Sequence, residues 1–193
     1  MKKFKQYLTE SEMLPARKIP LTNKKLYHVS THNINAFDIN EYIKHVKNDP
    51  LYDPGIYFVL DVSDLETYFE DYARKDIPLY LYTVKANNIS LGVNIDWLHI
   101  WTNLVKEGEY PDNWDDYEEE GWMDSQFLNY DITGMNKPLL TRSYEYLIKN
   151  NIDGSFISSS ETQGDGDFVC IWNTSKLKIT SKKVVDTSKY ENF

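Results

Sequence analysis

Two spacings of apolar residues alternate along this chain: short stretches with period two or a solid apolar run, and longer ones with helical spacing. Leu26-Tyr27-His28-Val29-Ser30-Thr31 is apolar, aromatic and β-branched and reads as a strand running into a polar loop. Ile56-Tyr57-Phe58 follows the turn pair Pro54-Gly55, and Leu79 to Lys85 alternates into a clear strand. Further strands are expected at Leu91 to Ile95 and over Phe168 to Trp172. Helical spacing predicts segments over Phe37 to Asn48, Asp61 to Ala73, Ile100 to Val105 and Thr141 to Lys149. Ser63 with Glu66 three residues on reads as a capping box for the second of these, and Asn150-Asn151 can close the last. Ser11 to Pro20, with two prolines, reads as a linker, and the polar, lysine-rich residues from 180 onward as a tail.

Composition narrows the picture. A chain of 193 residues is long enough for one domain with a proper core, and no apolar run approaches a membrane span. A soluble protein is therefore expected, with no membrane partner. Cys170, the one cysteine, lies inside an apolar run and reads as a small core residue in a reducing compartment. The scattered histidines give no metal-ligand spacing, so no metal is expected. The net charge of −9 comes from one place: residues 107–124 hold nine carboxylates and no Lys or Arg, and the rest balances at 21 acids against 21 bases. That segment fits three readings: a contact surface for a basic partner, a flap over a cleft, or a solvated acidic loop. The balance elsewhere argues against a general nucleic-acid-binding surface, though not against nucleic acid held by a few local contacts.

Three motifs carry candidate chemistry: His28 followed by Ser30, Gly55-Ile56-Tyr57-Phe58, and Asp167 directly before the run Phe168 to Trp172. In that order they resemble the three signatures of the diphtheria-toxin and poly(ADP-ribose) polymerase type of ADP-ribosyltransferase, over about residues 24 to 180. The resemblance implies an α+β fold of two packed, mainly antiparallel sheets with flanking helices, and NAD as substrate. It also implies that Tyr57 stacks on nicotinamide, with Tyr68, eleven residues on, as the second ring. By the same resemblance His28 binds the adenosine ribose, Ser30 and Gly55 border the nicotinamide side, and Asp167 is the catalytic carboxylate. Two positions depart from the family pattern: Val29 where glycine usually follows the histidine, and Asp167 where glutamate is usual. Glu161 and Asp165 are the other acids near the third motif, and Gln163-x-Asp165 imitates the Glu-x-Glu of the arginine-specific branch.

The function so implied is transfer of one ADP-ribose from NAD to a protein or nucleic-acid acceptor. Alternatives are NAD hydrolysis at the same site, and a silent interaction module that keeps the fold. The first ten residues resemble the head-targeting peptides of tailed bacteriophages, with a processing site at Leu8-Thr9-Glu10. That resemblance implies an internal virion protein delivered to the host cytoplasm, with a host protein among the candidate acceptors. The expected organisation is a peptide and linker over 1–22, the domain over 23–180 and a tail over 181–193, in a monomer.

Overall fold

A computed structural model describes residues 17–45, 55–65, 69, 78–93, 95, 100, 104, 137–158 and 167–186. Among these are eight strands, β1 (Arg17–Leu21), β2 (Lys25–Ser30), β3 (Ile56–Val59), β4 (Tyr80–Ala86), β5 (Ile89–Val93), β6 (Gly154–Ile157), β7 (Phe168–Ile171) and β8 (Leu177–Val184). Two α-helices accompany them, α1 (Ile39–His45) and α2 (Lys137–Lys149), and a 3-10 turn spans Val62–Leu65. Ile100 and Leu104 are also helical, and both are buried.

The strands form one sheet in the order β1-β5-β6-β7-β3-β2-β4-β8, not the two packed sheets expected from the sequence. All neighbouring pairs are antiparallel except β5–β6. The cause is β7, whose four residues are all buried and pair on both sides. Tyr57 and Ser155 both lie opposite Cys170, so β7 joins two halves that would otherwise be separate layers.

Two stretches read as irregular belong to this sheet. Residues 17–21, within the expected linker, pair with β5 from Arg17↔Val93 to Leu21↔Ile89. Pro20 lacks an N–H, which an edge strand tolerates and a central strand does not. At the other edge, β8 runs on to Val184, through residues read as tail. Its polar alternation suits a strand at the edge of the described sheet. Residues 1–10, the acidic segment 107–124 and the loop acids Glu161 and Asp165 lie outside the described residues.

Successive strand residues face opposite sides of a sheet, and here both sides are packed. One side holds Leu26, Phe37, Ile56, Phe58, Tyr82, Val84, Val169 and Ile171. The other holds Val59, Leu65, Phe69, Leu79, Ile157, Phe168 and Cys170, with Tyr27, Val29 and Tyr57 against it. Helix α2 seats Leu140, Tyr144 and Leu147 beside Trp172, with the Tyr144 and Trp172 rings stacked at 5.8 Å. Asn151 ends α2 in the left-handed conformation, φ 58°. Its N–H donates to Ile148 O and that of Ile152 to Leu147 O, the paired bonds of a Schellman cap.

Directly after this cap, Asp153 ties four segments together. Its carboxylate is buried and accepts from Ser90 N–H (2.9 Å), Asn173 Nδ2 (2.6 Å) and Lys176 Nζ (2.6 Å). Its carbonyl takes the N–H groups of Trp172 and Asn173. Asp153→Asn removes the charge that strengthens these bonds and turns an acceptor into a donor facing donors. A loss of about 2 kcal/mol is expected from the urea midpoint; a variant as stable as wild type would show the carboxylate to be dispensable.

Candidate active site

The three motif strands lie side by side as β2, β3 and β7, although more than a hundred residues of chain separate β7 from the other two. His28 and Tyr57 are linked across the first junction. The His28 ring places Nδ1 2.7 Å from Tyr57 O. A carbonyl only accepts, so Nδ1 carries the proton and Nε2 the lone pair. The ring itself lies on the opposite face from the Tyr57 side chain, among Phe37 (5.1 Å), Phe58 (5.4 Å) and Tyr82 (6.2 Å). Tyr82 extends the anchoring: its hydroxyl donates to His32 O and accepts from Ile34 N–H, holding the loop that leads to Phe37.

Desolvation in this aromatic setting lowers the His28 pKa to about 4, against the opposing effect of the bond to Tyr57 O. The imidazole is therefore neutral at pH 7. A histidine whose folded pKa lies below its unfolded 6.5 contributes its stability in full above pH 6.5. That contribution is lost as pH falls from 6.5 towards 4, because the unfolded chain takes up the proton first. Between pH 7 and 4.5 the loss is about 2 kcal/mol. Urea denaturation at both pH values, compared with His28→Gln, isolates it from the carboxylates. An equal pH response in both proteins would show that His28 titrates like an exposed histidine.

Tyr57 is half-buried, with its ring edge-on to Phe168 at 6.5 Å. Gly55, two residues before it, is buried at φ +154°, and a Cβ there would stand 2.5 Å from Cys170 Sγ. Glycine thus lets β3 start flush against β7. Ser30 closes β2 and its hydroxyl accepts from His32 N–H at 3.0 Å, turning the chain into the loop. Tyr68 lies outside the described residues.

Asp167 is half-buried at the entrance to β7. The 3-10 turn after β3 brings Asp64 into its neighbourhood, which sequence spacing did not signal. Desolvation first, then the like charges of Asp61 and Asp167, raise the Asp64 carboxyl above the ordinary range. Asp61, not Ser63, caps this turn: its Oδ1 accepts from the Ser63 N–H (3.0 Å) and hydroxyl (2.9 Å), and both bonds lower its pKa. Asp at this position competes well for an N-terminal N–H, so the turn begins two residues earlier than the expected capping box. The arrangement can therefore offer a positioned aromatic face on β3 and negative charge at the β7 entrance.

No family model and no curated protein matches the chain. Among solved structures, it is similar to a chain of the M. tuberculosis MbcT–MbcA toxin–antitoxin complex, with a TM-score of 0.48 and 11% identity over 88% of this chain and 87% of that one.

Proposed function

We propose that this protein cleaves NAD at the bond between nicotinamide and ribose and transfers the ADP-ribose to an acceptor. The observation that supports this reading is the adjacency of β2, β3 and β7, which brings His28 and Tyr57 onto neighbouring strands beside the strand that Asp167 directly precedes. Cleavage of that bond leaves positive, oxocarbenium-like charge on the ribose. Asp167 supplies a carboxylate to stabilise it, and Tyr57 an aromatic face to hold the departing nicotinamide. His28 enters as the group that fixes the β3 backbone at Tyr57 through the 2.7 Å bond to its carbonyl. A neutral imidazole does this without bringing a second positive charge near the cleaved ribose.

The experiment is release of nicotinamide from NAD by the full chain, with ADP-ribose followed onto protein or nucleic acid. Release without transfer makes the protein a hydrolase; no release at all overturns the proposal. Tyr57→Leu keeps apolar bulk beside Phe168 and removes the aromatic face. It is expected to weaken NAD binding by about tenfold or more, corresponding to roughly 1–3 kcal/mol of stacking. Calorimetry giving the wild-type affinity would remove Tyr57 from the site.

A further inference from the structure

Strands β2, β4 and β8 contain five lysines and no Asp or Glu, in a protein whose net charge is −9. Three of these lysines stand in one row: Lys25 lies opposite Lys85, and Lys85 opposite Lys178. Directly opposed residues share a face, and neighbouring strands are about 4.8 Å apart, so three ammonium groups are spread over about 10 Å. All three residues are exposed, and among the described residues none has a carboxylate partner. Asp61, two residues past the end of β3, is held below its usual pKa by Ser63 and not by a lysine.

Like charges directly opposite one another destabilise a sheet, so the row persists against a cost. Lysines on an exposed edge strand discourage edge-to-edge association, and this accounts for Lys178, Lys182 and Lys183 on β8. It does not account for Lys85, one strand in, or Lys25, two strands in.

We infer that the Lys25–Lys85–Lys178 row is a docking surface for the backbone of a single-stranded nucleic acid. Lysines without Arg are flexible point charges, suited to successive phosphates more than to bidentate capture of one carboxylate. The next residue on the same face of β2 is Tyr27, half-buried and about 7 Å along the strand from Lys25. Its ring offers an unpaired base a stacking surface, which a duplex or an acidic peptide could not use. Tyr27 packs in the same cluster as Tyr57, so the bound strand would approach the face that carries Tyr57. Its role as ADP-ribose acceptor rests on the function proposed above; its binding does not.

The test is fluorescence anisotropy of a labelled 12-nucleotide oligothymidylate with the full chain, without NAD, across a salt series. Three phosphate contacts predict a slope of about −2 in log affinity against log salt, and each Lys→Gln a slope shallower by about 0.7. Lys25→Gln/Lys85→Gln/Lys178→Gln should lose at least tenfold in affinity while melting no earlier than wild type, because opposed like charges are removed. If the triple variant fails to fold, Lys85→Gln alone gives the slope. No binding at low salt, an unchanged slope in the variants, or equal competition by polyglutamate of the same charge would overturn the inference. Nicotinamide release, measured separately, shows whether the catalytic reading stands or falls without it.

Discussion

Gly154→Ala is expected to destabilise the protein by about 3 kcal/mol or more, a large part of the 5–15 kcal/mol that holds a domain together. A Cβ at this position would lie 2.4 Å from Cys170 O, 3.0 Å from Leu91 Cδ2 and 3.2 Å from Ile171 Cα. The nearest of these is backbone, held by the pairing Gly154↔Ile171 and Ser155↔Cys170. It cannot move aside without opening the ladder that joins β6 to β7. Gly92→Ala is the comparison. Its added Cβ meets the side-chain carbons of Ile95 at 2.9 and 3.1 Å and of Ile152 at 3.2 Å, which can turn away. Gly92→Ala should therefore cost distinctly less. Urea midpoints rank the two, and a Gly154→Ala protein as stable as Gly92→Ala would mean that the β6–β7 seam is looser than its geometry. Gly55→Ala falls between them: the clash is with Cys170 Sγ, so Cys170→Ala should recover part of its loss, leaving the strain of φ +154°.

The same seam shows where sequence reasoning reaches and where it stops. Phe168 to Ile171 is a solid apolar run, and local pattern alone identifies a buried strand there. Nothing local says that the strand pairs with β3 on one side and β6 on the other, so the single sheet was not legible. Helix α2 was read from Thr141 but begins at Lys137, since Pro138 suits a first helical turn and carries no apolar spacing. The edge strands were hidden by their own protection, Pro20 in β1 and lysines in β8, residues that locally spell linker and tail. At the site, each motif was legible as a residue type in a strand. The bond from His28 to Tyr57 O was not, because it depends on the register Tyr27↔Val59 across a gap of some thirty residues. Nor was the approach of Asp64 to Asp167, which the 3-10 turn creates.

Asp167→Asn is expected to reduce nicotinamide release by about a hundred- to thousandfold while NAD still binds. The size follows from what a carboxylate does in this chemistry: it opposes positive charge that exists only as the glycosidic bond breaks, so its loss is felt in rate more than in affinity. A useful charge must be held still. The residue after Asp167, Phe168, is buried and paired with both Val59 and Ile157, so the backbone at the β7 entrance is fixed from two sides. Asparagine is nearly isosteric, and the change relieves like-charge repulsion on Asp64. That repulsion supplies an independent readout. With Asp167 neutral, the Asp64 carboxyl should titrate lower than in wild type, because one of the charges raising it is gone. Carbon-detected NMR titration follows Asp64 directly, and an unmoved Asp64 would show that the two carboxylates are not neighbours. Asp167→Glu keeps the charge on a longer arm and should retain measurable turnover. If Asp165→Asn is the inactive variant and Asp167→Asn turns over normally, the catalytic carboxylate lies in the preceding loop and not at the entrance to β7.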